Sequence, residues 1–309
     1  MPRILEPGQI EAHAQQAVPR VRLPERAGPF AARARRLRHM GERGQPGHAI
    51  GDYLRLMAAL VEAQALALAA LEPTLPTVAE LTRSHTHGMP PVQASTWHRP
   101  AEWRELALHF CASVAADPAA PAAVRAAHRW LQGLGPEQAE RQADALLTAR
   151  PVDIEMAGAP FLMAALQVYW VALVSRLRAE DLPPLDVPGV CPACGTQPVA
   201  SVVRTDARSQ GYRYLHCALC ATEWHLVRVT CSHCQSTVGI AYHSIEGGSA
   251  AIRAESCEAC HTYRKILHQE QDAYVEPVAD DLASLALDLL MTEAGFHRGS
   301  GNPLLWQQL

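Results

Sequence analysis

The sequence predicts an α+β, multidomain protein: an N-terminal all-α helical domain, two tandem four-cysteine units of the zinc-ribbon kind, and a C-terminal helix. Three observations lead there. Apolar residues recur at helical spacing from residue 29 to about residue 180. Eight of the nine cysteines fall between 191 and 260, in four Cys-x-x-Cys pairs. Around those pairs the residues switch to β-type, as in Val199, Val202, Val203, Tyr212, Tyr214, Leu226, Val227, Ile240 and Tyr242. The boundaries that follow are 1–185 for the helices, 186–228 and 229–272 for the two units, and 273–309 for the C-terminal helix and tail.

Residues 1 to 28 carry four prolines and no sustained period, and read as an extended arm. Pro29 opens a helix through Phe30, Ala34 and Leu37 that ends near Gly41 or Gly44, with Pro46 and Gly47 as breakers. Ile50, Tyr53, Leu54, Met57, Leu60 and Val61 mark a second helix, stopping before Pro73. Residues 73 to 100 read as loop with one short helix near 77 to 83. His85, His87 and His98 there read as polar loop histidines rather than metal ligands. Pro100 precedes a helix whose face is Trp103, Leu106, Ala107, Phe110 and Val114; its Cys111 reads as a packed hydrophobe. Asp117 and Pro118 suit the start of the next helix, reaching Leu131. Helices at about 136–149 and 160–180 follow, the last apolar nearly all round and therefore central. Met156–Ser175 is uncharged but interrupted by Pro160 and Gln167, which favours a buried core helix over a membrane span. Pro183, Pro184 and Pro188 then predict a stiff linker.

The pairs are Cys191/Cys194, Cys217/Cys220, Cys231/Cys234 and Cys257/Cys260. Adding forty to 191, 194, 217 and 220 gives 231, 234, 257 and 260, so one unit occurs twice. Two Cys-x-x-Cys turns aim four sulfurs at one centre, the donor set favoured by zinc and by mononuclear iron. The predicted sites are Cys191/Cys194/Cys217/Cys220 and Cys231/Cys234/Cys257/Cys260. A disulfide scaffold fits poorly with a chain whose opening shows no secretory signal, which is expected in the cytoplasm. Four pairs in two matched units also argue against a thioredoxin-like redox motif. Gly195 suits the turn after its pair, whereas Ala221, Gln235 and His261 predict looser turns. Each unit of about 40 residues is too small to hold a core alone, so its metal is structural. After Pro277, Asp280 and Asp281 suit a helix N-terminus, with Leu282, Leu285, Ala286 and Leu289 as the apolar face.

Charge is uneven. The net charge of −4 implies no global attraction to nucleic acid or anionic lipid. Residues 20 to 43 hold eight arginines, and residues 270 to 293 hold seven acids without Lys or Arg; both blocks read as solvated faces. Arg35-Arg36 lacks the apolar run of an export signal.

The region from 191 onward resembles the formate dehydrogenase accessory proteins, the FdhE-type maturation factors. Cys-Pro-Ala-Cys-Gly-Thr-Gln-Pro-Val-Ala-Ser (191–201), Arg-Tyr-Leu-His-Cys-Ala-Leu-Cys-Ala-Thr-Glu-Trp-His (213–225), Ala-Asp-Asp-Leu-Ala-Ser-Leu-Ala-Leu-Asp-Leu-Leu (279–290) and Gly-Asn-Pro-Leu-Leu (301–305) carry the resemblance. It implies a cytoplasmic assembly factor, not an enzyme, that binds the molybdenum-containing catalytic subunit of respiratory formate dehydrogenase before export. It also implies rubredoxin-like units holding two mononuclear ions, iron with zinc as the alternative, on all eight cysteines. Tyr214, Trp224 and His225 near the second pair are candidate partner contacts, since aromatic residues anchor interfaces. His216, His225, His233 and His261 flank the pairs and are expected to support the sites or lie at the surface.

Two further functions compete. Seven bases against six acids between 190 and 270 give a nucleic-acid-binding ribbon a weak electrostatic footprint. A rubredoxin-like electron carrier would require reversible iron chemistry. No phosphate-binding loop or hydrolase triad occurs, and four thiolates leave no open coordination position.

Overall fold

The computed structural model describes residues 18–43, 49–148, 150, 154–206 and 209–305. Most of the predicted N-terminal arm and the Pro46–Gly47 break lie outside the described residues. Among the described residues, seven α-helices form the N-terminal half: α1 (Pro29–Arg43), α2 (Ala49–Ala70), α3 (Val78–His87), α4 (Glu102–Ala115), α5 (Ala122–Gln132), α6 (Pro136–Leu147) and α7 (Ala159–Val174).

Helix α7 is the axis of this half. Every residue but Pro160 is buried, and α2, α4 and α6 pack around it. Its one polar core residue is fully used: Gln167 accepts from Gln64 Nε2 at 3.1 Å and donates to the Ala218 carbonyl at 2.7 Å. Helix α2 is long and apolar enough to cross a membrane by length and composition, yet Leu54, Met57, Leu60, Val61 and Leu68 are buried in the same core.

Local chemistry sets several ends differently from the sequence reading. Helix α3 runs to His87, because Thr77 and Glu80 form a capping box and Gly88, at φ 57°, closes the C-terminus. His85 and His87 therefore lie in a last helical turn, where a basic group suits the dipole. Asp117 caps no helix; it accepts from Ala119 N in a turn, and α5 starts at Ala122.

The C-terminal half is built on one sheet. Its strands are β1 (Val21–Arg22), β2 (Pro198–Val203), β3 (Arg213–Cys217), β4 (Glu223–His225), β5 (Ile240–His243), β6 (Ile252–Cys257), β7 (Thr262–His268) and β8 (His297–Arg298). The order is β1-β4-β3-β2-β7-β6-β5, with β8 beside β7. Strands β2–β4 and β5–β7 are the two antiparallel units predicted from the repeat. They join where β2 runs parallel to β7, Ser201 opposite Ile266 and Val203 opposite His268. Arg213 and Glu255, both buried, close this seam in an ion pair at 2.6 Å. The N-terminal segment adds β1 to the first unit, with Val21 opposite Trp224.

The stretch from Pro183 to Pro188 is no free spacer. Arg20 holds the Leu182 carbonyl at 2.7 Å, and Trp224 Nε1 donates to the Pro188 carbonyl at 2.7 Å. Helices and first unit share one hydrophobic core that includes Trp170, Leu166, Cys191, Cys217 and Leu219.

The C-terminal helix is two helices, α8 (Pro277–Ala283) and α9 (Leu285–Glu293), broken at Ser284. Helix α9 buries Leu287 and Met291, while Leu289 is exposed. Glu276 caps the helix, accepting from Val278 N and Ala279 N, and of the two aspartates Asp280 serves this N-terminus, its Oδ2 accepting from Glu276 N at 2.7 Å, while Asp281 does not. Asp280 reaches the helical half and binds Arg36 in a bidentate pair, at 2.9 and 2.6 Å. Asp281 turns to the sheet, where Lys265, Arg298 and Asn302 surround it. The basic and acidic blocks are thus not merely solvated faces: Arg33 pairs with Glu276, and Arg36 with Asp272 and Asp280, across more than two hundred residues of sequence.

Acid sensitivity follows from these pairs. Burial raises the Asp281 carboxyl, but Arg298 and Lys265 outweigh it and hold the group below the usual range. A folded pKa below the unfolded value of about 3.9 stabilises the fold above that pH, and the contribution disappears as pH falls through the folded value. Asp280 opposes this trend, because burial raises it despite Arg36. Denaturant titrations below about pH 4 are expected to show falling stability. Asp281→Asn should flatten that fall.

Candidate metal centres

Four turns carry the eight thiols, and all four share one backbone. The residue after each second cysteine is left-handed: Gly195 at φ 75°, Ala221 at 58°, Gln235 at 64° and His261 at 52°. The three non-glycine turns are therefore not looser. They hold the same conformation at the cost of placing a Cβ in the left-handed region. This turn aims amides at sulfur: Leu219 N and Cys220 N lie 3.4 and 3.3 Å from Cys217 Sγ, and His233 N and Cys234 N lie 3.4 and 3.5 Å from Cys231 Sγ.

The thiols assemble as two groups, Cys191/Cys194/Cys217/Cys220 and Cys231/Cys234/Cys257/Cys260, each with all sulfurs within 4.8 Å of one another. Across the first group Cys191–Cys220 is 3.5 Å and Cys194–Cys217 is 3.4 Å; across the second, Cys231–Cys260 and Cys234–Cys257 are each 3.7 Å. These separations are far beyond a disulfide bond of about 2.05 Å. They approach the edge of about 3.8 Å that a tetrahedron of zinc–sulfur bonds of about 2.3 Å requires. Either group can hold a metal ion, and four sulfur donors suit zinc and iron alike.

The electrostatics favour a cation. Burial pushes Cys191 and Cys220 well above the ordinary thiol range. Burial also raises Cys217, but hydrogen bonds from Cys191, Cys194, Cys220 and Thr196 outweigh it and draw that thiol down. Four thiolates buried together need a metal charge at their centre. Thr196 Oγ1 stands 3.1 Å from both Cys194 and Cys217 sulfurs, and Thr222 Oγ1 3.1 Å from Cys220 Sγ, ready to donate to thiolate sulfur. Beside the second group, Arg264 is buried and donates to Ser232 Oγ at 2.8 Å and Ser300 Oγ at 2.7 Å, both neutral. Burial and the repulsion of Arg213 and Arg298 lower its pKa to about 10, while Asp281 and Cys231 attract its charge. Thiolates at the second group would complete its counter-charge.

The flanking residues separate. Tyr214 is fully buried and donates to the Pro19 carbonyl at 2.9 Å, and Trp224 is 5% exposed beneath the N-terminal segment. Neither presents the surface expected of a partner contact, because β1 covers them. His225 is half-buried between Tyr212 and Tyr214, and burial lowers its pKa. His216 is buried with Nδ1 3.0 Å from Glu223. His233 and His261 are exposed. Cys111 packs in the core, where burial pushes it up to about 12.

Sequence reasoning missed a cavity of about 760 Å³ beside the first group, between α1, the β3–β4 turn and the segment before α8. Arg22, Arg36, Arg204, His216, Glu223 and Glu276 are among its walls. Only the arginine block hinted at it, and nothing local joined that block to residue 276.

Comparison with known proteins covers nearly the whole chain. Models of the FdhE N-terminal, central and C-terminal domains match residues 18–186, 190–228 and 229–305. A protein FdhE homolog of Cronobacter sakazakii is 38% identical over 98% of this chain and 97% of its own length. One of Edwardsiella ictaluri is 40% identical over 92% and 90%. The crystal structure of the FdhE protein from Pseudomonas aeruginosa superposes with a TM-score of 0.78 at 39% identity, covering 93% of this chain and 99% of that one.

Proposed function

The chain belongs to the FdhE family, and from that membership we propose that it is a cytoplasmic accessory factor in the maturation of respiratory formate dehydrogenase. It binds the enzyme's catalytic subunit through the metal-bearing C-terminal region and turns over no substrate of its own. The observation that carries the reading is the pair of four-thiol groups on the framework shared with that family. Each group holds one mononuclear ion through its four cysteines, iron with zinc as the alternative, and the ion cross-links elements too small to stand alone.

A nucleic-acid role is less well supported than the sequence count suggested. Arg213, Arg264 and Lys265 are buried, and each is used inside the fold. With Tyr214 and Trp224 covered, the apolar side chains available for docking include Val238 and Tyr242 in the second unit, 77% and 42% exposed. Deleting the protein from its host is expected to lower respiratory formate dehydrogenase activity at least about tenfold, and tagged protein should capture the catalytic subunit. Full activity in the deleted strain would defeat this reading. Val238→Asp should weaken capture while both ions stay bound.

A further inference from the structure

The two four-cysteine groups share a sequence pattern but not a setting. All four cysteines of the first group are buried, whereas Cys234 is exposed and Cys260 half-exposed. The helical half closes over the first group. Val92 N and Ala94 N donate to the Ala193 and Cys194 carbonyls at 3.2 and 2.9 Å, and Gln167 holds the turn between Cys217 and Cys220 through the Ala218 carbonyl. A Cβ on Gly195 would already touch the Pro90 ring at 3.4 Å. Forty residues later the equivalent turn carries His233, Cys234 and Gln235, all exposed. One of the two supporting hydroxyls is also lost, while Thr262, the counterpart of Thr222, still bonds Cys260. Thr196 stands against two sulfurs, while its counterpart Ser236 donates instead to the Val238 carbonyl at 3.2 Å.

We propose that the two sites divide the work: the first is a fixed cross-link of the core, and the second is an exchange site, where Cys234 and Cys260 give up and take on a divalent metal ion against an external thiol. This rests on the metal-bearing reading above. Substitution at a four-coordinate thiolate site begins with approach of the incoming ligand, since such a centre can expand to five ligands but cannot readily shed one in an apolar interior. The first site offers no approach; the second presents two sulfurs to solvent. The incoming sulfur bonds to the ion as the Cys234 sulfur leaves with its electron pair. The proton of the incoming thiol passes to Cys234, and no oxidation state changes.

The test uses full-length protein carrying two zinc ions and an excess of a chromogenic chelator. One ion is expected to leave at least about tenfold faster than the other, within the range that loss of supporting contacts produces. A brief iodoacetamide pulse with mass spectrometry should label Cys234 and Cys260 ahead of Cys191, Cys194, Cys217 and Cys220. Cys234→Ser should remove the fast phase and keep the slow ion. Two ions leaving at a common rate, or first-site cysteines labelled as early, would overturn this proposal and leave the metal reading intact. A protein that binds no metal would overturn both.

Discussion

Replacing Cys191 with serine is expected to unfold the helices and the sheet together, not the first unit alone. The four thiols of that site lie in the same hydrophobic core as α7. Their turns are bonded to the 92–94 loop and to Gln167. A structural four-cysteine site contributes an apparent ~10–16 kcal/mol of folding free energy in small zinc domains. The whole stability of a domain is about 5–15 kcal/mol, so losing that contribution removes a margin of the same size. Circular dichroism should show most of the helical signal lost, with both ions released. Retention of the helices and of one ion would show that the Pro183–Pro188 segment insulates the two halves after all. The matching change at the second site, Cys231→Ser, should be milder. That group lies outside the shared core, and the helical signal should persist.

Asp281→Ala should be the most damaging change away from the cysteines. Asp281 is 1% exposed, and it faces Lys265 at 3.5 Å together with Arg298. Asn302 donates to it at 2.8 Å, fixing the tail after β8. Removing one member of a buried ion network leaves two buried cations sharing the single carboxylate of Asp288, at a cost of about 3–5 kcal/mol. For a chain of this size that corresponds to a fall of roughly 10 °C in the melting midpoint. Lys265 keeps Asp288 at 2.6 Å, so the cost should stay at this level rather than abolish folding. A midpoint within about 2 °C of the parent would show that the network is slack. Asp280→Ala cuts the link to Arg36 and the bond from Glu276 N, and should cost less, since burial already opposes its charge.

The metal groups were legible in the sequence because their ligands are close neighbours within each turn and the turns repeat at a fixed offset. Helices α1, α2, α4 and α7 were legible for a similar reason: periodicity and proline punctuation act over a few residues. The ends of α3 and α5 were less legible, because they turn on which local side-chain bond forms: the Thr77–Glu80 box caps α3, whereas Asp117 bonds Ala119 N in a turn and caps nothing. The local reading of the Asp280–Asp281 pair held for Asp280, which accepts from the cap residue Glu276, but it could not show the pair's ionic partners, which lie at residues 36, 265 and 298, with Asn302 beside them.

The sequence by itself determined the two sulfur quartets, the helical half and the antiparallel character of each unit, since all three are set by spacing, composition and turns within tens of residues. Tertiary structure alone decided that β2 and β7 fuse the units into one sheet, that β1 covers Tyr214 and Trp224, and that one quartet is enclosed while its copy faces solvent. The reason is the range of the interactions. A forty-residue repeat makes the turns alike, but what covers a turn comes from a distant segment, and the 92–94 loop and Gln167 bond to cysteine turns of the first copy.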